Sequence, residues 1–180
     1  QWFSDAADSV AKAASGGREL VVLIHGFRVP DASGVYRKAQ ALIEQRYKDA
    51  SSLPIFLEVH WDGLNSPTPI GVWGRAQVNG FLAGLSLRRV LAKVDAKTKV
   101  RVITHSSGGF VIAATLGDPG AVFGKVGRES DLFANFRANA MGSDRYPIPA
   151  NTDVRVALVV PATPALSFSG GIDASKQHHP

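Results

Sequence analysis

The chain of 180 residues contains no cysteine, so disulfides, thiolate zinc sites and cysteine nucleophiles are all excluded. Two nucleotide-binding signatures are absent as well. No Gly-x-Gly-x-x-Gly follows the first predicted strand, and no Gly-x-x-x-x-Gly-Lys-Ser/Thr occurs anywhere in the chain. The five histidines include no His-x-x-x-His pair that would indicate a metal site. The sequence therefore predicts a protein without a metal ion and without an organic cofactor.

A long hydrophobic run is also missing. The longest stretch without a charged residue, residues 156–172, contains Pro161 and Pro164 and is too short for a transmembrane helix. The chain begins with Gln1 and has no recognisable signal peptide, so the sequence does not indicate a compartment. With 45% hydrophobic residues, a chain of this length is expected to form one globular domain with a substantial core.

Positive charge is in excess, with a formal net charge of +5. Several cations occur near the end of one predicted helix, where positive charge complements the helix dipole. A solvated helix end is the favoured interpretation, and an anionic partner such as lipid headgroups is the alternative. No dense basic block with interleaved aromatic residues occurs, so nucleic acid is not predicted as a partner. The clustered cations are Arg88, Arg89, Lys93, Lys97 and Lys99.

Four apolar segments rich in β-branched residues alternate with segments of helical periodicity. This order predicts an α/β fold, with a mostly parallel sheet that has helices on both faces. Residues 117–151 are either a lid over a pocket or an irregular connection, and residues 167–180 are expected to form a flexible tail. The predicted strands are residues 20–24, 54–61, 100–103 and 153–161, and the predicted helices are residues 36–47, 72–94 and 110–116.

The third predicted strand runs directly into the sequence Thr-His-Ser-Ser-Gly-Gly at positions 104–109, and an apolar helical segment follows. A sharp strand-to-helix turn with a serine at its tip exposes the hydroxyl at the rim of the sheet, where it can act as a nucleophile. Such a turn forces the residues two positions before and two positions after the serine close together, so both must be small. With Ser106 as the nucleophile, these positions are held by Thr104 and Gly108.

Two other interpretations of the same turn remain open. Ser107 is the alternative nucleophile, but His105 would then occupy one of the crowded positions, so Ser106 is preferred. The other interpretation is that the turn is an incidental connection between a strand and a helix, without a catalytic role. The long ordered series of strands and helices around it favours the catalytic interpretation.

The negative charge that develops when a serine attacks a carbonyl group requires preorganised hydrogen-bond donors. The amide of Ser107 is one candidate, because it lies at the start of the helix that follows Ser106. The amide of Phe27 is the second, since it follows the first predicted strand and Gly26 lets the backbone approach closely. These two amides are expected to form an oxyanion hole.

Further residues are expected at the same rim, because the carboxyl ends of parallel strands meet there and bind ligands. His25 and Gly26 follow the first predicted strand, and His60 and Trp61 end the second. These four residues are predicted to contribute to the substrate site. For His25 a structural role beside the turn is preferred over that of catalytic base, and for His60 a place in the core is preferred over one that lines the pocket.

Together, these elements resemble the α/β-hydrolase superfamily, specifically its bacterial esterase-like and lipase-like members. The resemblance covers residues 20–162. It rests on the first strand with its His-Gly-Phe loop, the strand ending in His-Trp-Asp, the serine turn, and the strand ending in Val-Val-Pro-Ala at positions 159–162. It implies a nucleophile at Ser106, oxyanion donors at Phe27 and Ser107, and a small-molecule ester or lipid-like acyl substrate. Thr104 stands where this superfamily usually has glycine.

In that superfamily the acid and the histidine follow the nucleophile along the chain. The resemblance therefore points to Asp173 as the acid and to His178 or His179 as the base, which requires the tail to fold back over Ser106. No strand pattern follows residue 162, so we expect the last two strands of such a fold to be missing from this sequence. We expect a second chain or a missing segment to complete the domain.

Two functions of different classes are compatible with these features. The first is a serine hydrolase that cleaves carboxylic esters, with pocket walls from Phe27, Trp61, Trp73 and residues 117–151. The second is a hydrolase-like binding module without turnover, which is favoured by the absence of a well-placed acid and base.

Overall fold

The computed structural model describes residues 2–27, 29, 31–47, 49, 53–63, 69–117 and 146–160. In this part of the chain, four strands form one parallel sheet in the order β2-β1-β3-β4, and helices pack on both of its faces. The predicted α/β class is confirmed. The strands are β1 (Leu20–Ile24), β2 (Ile55–Val59), β3 (Lys99–His105) and β4 (Asp153–Val159), and the helices are α1 (Trp2–Ala13), α2 (Ser33–Glu44), α3 (Pro69–Leu91) and α4 (Gly108–Leu116).

Strand β1 is buried along its whole length because every residue in it is apolar. Successive side chains of a strand point to opposite faces of the sheet. Leu20, Val22 and Ile24 contribute to a core shared with α3 and α4, whereas Val21 and Leu23 pack against α2. An unbroken apolar strand therefore requires helices on both sides, as this sheet provides.

The connections of the sheet diverge at β1. The chain leaves β1 to form β2 on one side and then returns to place β3 on the other side. Ile24 is aligned with both Val59 of β2 and Thr104 of β3. The segments that follow β1, β2 and β3 therefore begin at the same edge of the sheet. In open parallel sheets, ligands bind at the edge where the connections diverge in this way.

Helix α1 is an element that the sequence pattern did not predict. It packs against α3, and Ala7 is fully buried. The Lys93 ammonium donates a hydrogen bond of 2.6 Å to the Asp8 carboxylate. The helix was missed because only a narrow stripe of small and apolar side chains faces the core.

The basic group at the end of α3 is partly structural, so the expectation of a solvated helix end is wrong for two of its members. The Arg88 guanidinium donates hydrogen bonds to the carbonyls of Thr115 (2.9 Å) and Gly117 (2.8 Å), at the carboxyl end of α4. It also donates to the carbonyl of Tyr146 at 3.2 Å. The Arg89 guanidinium lies 5.0 Å from the centre of the Tyr146 ring. Both arginines thus connect α3 to the segment that enters β4.

Arg101 of β3 forms ion pairs at the end of the sheet where the strands begin, opposite the end at which Ser106 lies. Its guanidinium pairs with Glu19 just before β1 (3.0 Å) and with Asp153 at the start of β4 (2.7 Å). This arginine holds the pKa of Asp153 below its usual range. A single cation therefore spans the amino ends of three strands, far from the edge where Ser106 lies.

The outer strand β4 differs from its expected environment. The continuous apolar run in its second half, residues 156–159, is typical of a strand buried on both faces. Val156, Leu158 and Val159 are nevertheless exposed, and among the described residues β4 pairs only with β3.

The first testable prediction concerns the contact between α3 and α4. A Cβ atom added at Gly84 would meet the Val111 carbonyl oxygen and lie 2.6 Å from Ala114 Cβ. We expect Gly84→Ala to lower the free energy of unfolding by about 1–3 kcal/mol, because the helices must move apart.

The matched control is Gly34→Ala in α2, where an added Cβ meets nothing within 4 Å. This change should be neutral or should stabilise the protein by up to about 1 kcal/mol through helix propensity. Urea unfolding of both variants measures the difference. Equal effects of the two substitutions would contradict the proposed close contact.

Candidate active site

Ser106 occupies a two-residue turn between β3 and α4. Its backbone is in the left-handed region, with φ of 52°, a conformation that costs a non-glycine residue about 1–3 kcal/mol. The Ser106 amide donates a hydrogen bond of 2.9 Å to the carbonyl of Val159 in β4. The amide of Gly109 donates to the Ser106 carbonyl at 3.2 Å, which begins the helix. A strained serine at the tip of a strand-to-helix turn is the geometry in which a hydroxyl projects from the sheet edge.

Gly108 is the residue that permits this turn. A Cβ atom at this position would meet the Thr104 hydroxyl and would lie 2.7 Å from the carbonyl oxygen of His25. Residues two before and two after Ser106 are therefore in close contact, as the motif predicts. Thr104 fits beside Gly108 but is only 1% exposed, and its hydroxyl has no hydrogen-bond partner in the described part of the chain.

The loop after β1 contacts the same turn from the other side. A Cβ atom at Gly26 would lie 2.9 Å from Ser106 Cβ and 3.1 Å from the Nδ1 atom of His105. Glycine at this position lets the backbone approach the serine, as expected. Phe27 follows directly and packs at the edge of the core formed with α3 and α4. The segments carrying the Phe27 and Ser107 amides therefore converge on Ser106 from two strands.

His25 is buried, with 5% of its surface exposed, and each of its polar atoms is used within the protein. Its Nδ1 lies 2.8 Å from the Gly26 carbonyl oxygen, and its Nε2 lies 3.2 Å from the amide nitrogen of Trp61. Its backbone amide donates to the Tyr36 hydroxyl at 2.9 Å. Its carbonyl accepts a hydrogen bond of 2.9 Å from the Trp61 indole. This pattern supports the preferred structural role of His25.

The Tyr36 hydroxyl links the carboxyl ends of β1 and β2 through two hydrogen bonds. It accepts the hydrogen bond from the His25 amide and donates one of 2.7 Å to the carbonyl of Val59. Burial raises the pKa of Tyr36 well above its ordinary value, so the phenol stays protonated and can donate. The helical spacing of apolar residues predicts Tyr36 on a helix but does not predict this role. The available signal was a phenol on the buried face of α2, since a buried phenol needs a partner.

Trp61 lies in the core rather than on the surface. Its indole stacks on the His25 ring with 5.5 Å between ring centres and an angle of 15°. On α3, a Cβ added at Gly80 would lie 3.3 Å from the indole, so the glycine makes room for it. Trp61 thus fixes the position of the β1 loop, and its contact with a substrate stays a prediction.

His60 is exposed at the rim, so the preferred interpretation of a core histidine is wrong. Its Nε2 lies 3.0 Å from a carboxylate oxygen of Glu58, and the other oxygen of Glu58 accepts a hydrogen bond of 2.8 Å from Gln40. The His60 ring also meets the edge of the Tyr36 ring, with 5.1 Å between centres. This exposed polar group is adjacent to the buried His25 site, and its role in binding substrate stays a prediction.

The predicted acid and base lie outside the described residues. These are Asp173, His178 and His179, and the predicted tail of residues 167–180 lies there as well. Most of the predicted lid, at residues 118–145, and the side chain of Trp73 are also outside this part of the chain. Within the described ranges, no histidine nitrogen forms a hydrogen bond with the Ser106 hydroxyl.

The described ranges contain no group of three or more His, Asp or Glu side chains that could hold a metal ion. None of their helices has both the length and the hydropathy needed to cross a bilayer.

The second prediction compares two buried threonines. Thr104→Ala removes a hydroxyl without a partner among the described residues. Thr115→Ala removes one whose single proton is shared between the carbonyl oxygens of Val111 (2.8 Å) and Gly84 (3.0 Å). Both changes delete the same atoms. We expect Thr115→Ala to cost about 1 kcal/mol more in free energy of unfolding, because a made hydrogen bond is lost. Denaturant titration measures both variants, and a larger cost for Thr104→Ala would refute the assignment.

The third prediction concerns pH. Burial lowers the pKa of His25 below 6.5, and the nearby His60 acts in the same direction, although the hydrogen bond to the Gly26 carbonyl opposes the shift. As the pH falls through 6.5, the unfolded chain takes up a proton that the folded protein does not. The free energy of unfolding should therefore decrease between about pH 7.5 and about pH 5.5.

The variant His25→Asn lacks this imidazole and should show a smaller decrease over the same range. Unfolding by urea at several pH values gives both curves. Parallel curves for the wild type and the variant would show that His25 does not contribute to the pH dependence.

Comparison with known proteins adds no assignment, because no protein-family model, no curated protein and no solved structure matches this chain. The α/β architecture is established by the sheet and helices themselves. The similarity to α/β-hydrolases noted in the sequence stays a prediction, and the chemistry of the site is argued from its own geometry.

Proposed function

We propose that the protein is a serine hydrolase that cleaves carboxylic esters through an acyl-enzyme formed on Ser106. One observation carries this proposal. Ser106 has a left-handed backbone at a strand-to-helix turn, and the backbone of Gly26 packs against its Cβ at the divergence point of the sheet. A non-glycine residue is held in this strained conformation only where the surroundings determine it, and such residues cluster at functional sites.

The proposed reaction begins with attack of Ser106 Oγ on the ester carbonyl carbon. The serine proton passes to a general base, and the carbonyl oxygen becomes an oxyanion. Collapse of this intermediate breaks the bond to the alkoxy oxygen, which leaves as an alcohol with the proton from the base. Water then adds to the acyl-enzyme and loses its proton to the base. The second collapse returns that proton to Ser106 Oγ and releases the carboxylic acid.

The amides of Phe27 and Ser107 are the proposed donors to the oxyanion. Ser107 precedes the first residue of α4, and the first amides of a helix have no acceptor within the helix. The helix dipole adds positive potential at this end. Removal of one such donor typically costs about 3–4 kcal/mol of transition-state stabilisation.

The base and the acid of the proposed mechanism are His178 or His179 and Asp173. The order of these residues along the chain supports this assignment, since the acid and the histidine follow the nucleophile in the superfamily that the chain resembles. His25 is not a candidate base, because both of its ring nitrogens have partners within the protein. His60 has its Nε2 next to the Glu58 carboxylate instead.

A binding module with the same fold but without turnover is the second candidate function. It is favoured by the observation that no histidine in the described ranges reaches the Ser106 hydroxyl. In this alternative the strained turn holds a ligand carbonyl between the Phe27 and Ser107 amides without covalent chemistry.

The fourth prediction separates these two functions. Incubation with a fluorophosphonate should label the wild-type chain covalently on Ser106, and p-nitrophenyl butyrate should be hydrolysed. Ser106→Ala should abolish both reactions, whereas Ser107→Ala, which keeps its backbone amide, should still be labelled. Mass spectrometry of the labelled peptide identifies the modified residue.

A folded wild-type chain that is neither labelled nor active would refute the hydrolase and favour the binding module. Labelling of Ser107 instead of Ser106 would identify Ser107 as the nucleophile. Far-ultraviolet circular dichroism on each variant verifies that the fold is retained.

A further inference from the structure

The carbonyl of Gly26 is held by the ring of the residue that precedes it. His25 Nδ1 lies 2.8 Å from this oxygen, and a carbonyl can only accept a hydrogen bond, so Nδ1 carries the proton. The other ring nitrogen, Nε2, faces the Trp61 amide at 3.2 Å, and an amide N–H can only donate. The two contacts together define one neutral tautomer of His25.

The His25 ring lies on the β2 side of β1. It stacks on Trp61 and is 6.2 Å from the Tyr36 ring and 6.4 Å from the His60 ring, measured between ring centres. Strand β2 flanks β1 on one side, whereas β3, which leads to Ser106, flanks it on the other. The hydrogen bond to His25 therefore turns the Gly26 carbonyl toward β2.

The direction of the next amide follows from peptide geometry. The Phe27 N–H belongs to the same peptide unit as the Gly26 carbonyl, and in a trans peptide the two point in opposite directions. The described chain contains no cis peptide bond. The Phe27 N–H is therefore directed away from the His25 ring, to the side of β3 and Ser106.

We propose that His25 is a positioning residue that directs the Phe27 amide at the oxyanion formed on Ser106, through its hydrogen bond to the Gly26 carbonyl. This inference rests on the proposed hydrolase function. His25 touches no reacting atom in it. The ring is itself held by Trp61 stacking, and the His25 backbone is bonded to Tyr36 and to the Trp61 indole, so the donor is oriented before substrate arrives.

Two substitutions of His25 by amide side chains distinguish this positioning role from a general role in packing. The side-chain nitrogen of His25→Asn stands as many bonds from Cα as Nδ1 and can donate to the Gly26 carbonyl. His25→Gln places its amide at the reach of Nε2, where it can accept from Trp61 but does not hold that carbonyl. The control is Thr115→Ala, which removes a buried hydrogen bond on α4 away from the turn.

The fifth prediction is the order of kcat for hydrolysis of p-nitrophenyl butyrate. His25→Gln should lower kcat by about 10- to 100-fold with little change in KM. The misdirected Phe27 amide would no longer stabilise the oxyanion, which develops in the transition state and is absent from the bound ester. His25→Asn should retain at least about a third of the wild-type kcat. Thr115→Ala should lose stability but keep its kcat. Equal losses in the Asn and Gln variants, or an unaffected Gln variant, would overturn the proposal.

A measurement without substrate distinguishes failure of this inference from failure of the proposed function. Imidazole ¹⁵N chemical shifts of the wild type should show a protonated Nδ1 and an unprotonated Nε2 for His25, and the Phe27 amide resonance should shift more in the Gln variant than in the Asn variant. The opposite tautomer would overturn the positioning role even in an active enzyme. If His25 has the expected tautomer but Ser106 is neither labelled nor active, the hydrolase function fails and the catalytic role of His25 fails with it.

Discussion

The close backbone contact between the β1 loop and the turn at Ser106 is the constraint on which the rest of the rim depends. Gly26 packs against Ser106 Cβ, and the His25 carbonyl packs against Gly108. These contacts leave no room for a side chain at either glycine. They also hold the left-handed backbone of Ser106, because the turn cannot relax without striking the loop. The position of the loop after β1 relative to Ser106 follows from this fit.

Polar side chains stabilise the two ends of the sheet in different ways, by ion pairs at one end and by neutral hydrogen bonds at the other. At the amino end, Arg101 pairs with carboxylates from two other segments and fastens β1, β3 and β4. At the carboxyl end, hydrogen bonds of Tyr36 and Trp61 fix the His25 loop rather than pairing charges. The apolar strand β1 joins both ends and supplies the rigid base that a preorganised site requires.

Much of the fold could be predicted from sequence, because its signals are local. The range of β1 was predicted residue for residue, and β3 and β4 within two residues at each end, since their apolar runs are bounded by turns. The turn at Ser106 could be located because steric crowding restricts residue types at fixed spacings. Helix α1 could not, because small residues such as Ala7 give a weak periodic signal although they are buried.

The internal hydrogen bonds of the site could not be predicted in the same way. Whether His25 binds substrate or supports the loop depends on Tyr36 and Trp61, which lie 11 and 36 positions away along the chain. Pairing across such distances is decided by strand order and register, which the sequence pattern leaves open. His60 illustrates the same limit, since an apolar strand end indicated a buried residue and the ring is exposed beside Glu58.

The shared volume of Thr104 and Gly108 has a consequence for how this turn can change during evolution. Replacing Thr104 by glycine or alanine leaves a small cavity but creates no steric overlap, so that position can become smaller at a moderate cost in stability. Position 108 has no such freedom, because an added methyl group would still strike the His25 carbonyl even after Thr104 had become small. Sequence divergence at the turn is therefore one-sided, and relatives of this chain should vary at 104 while retaining glycine at 108.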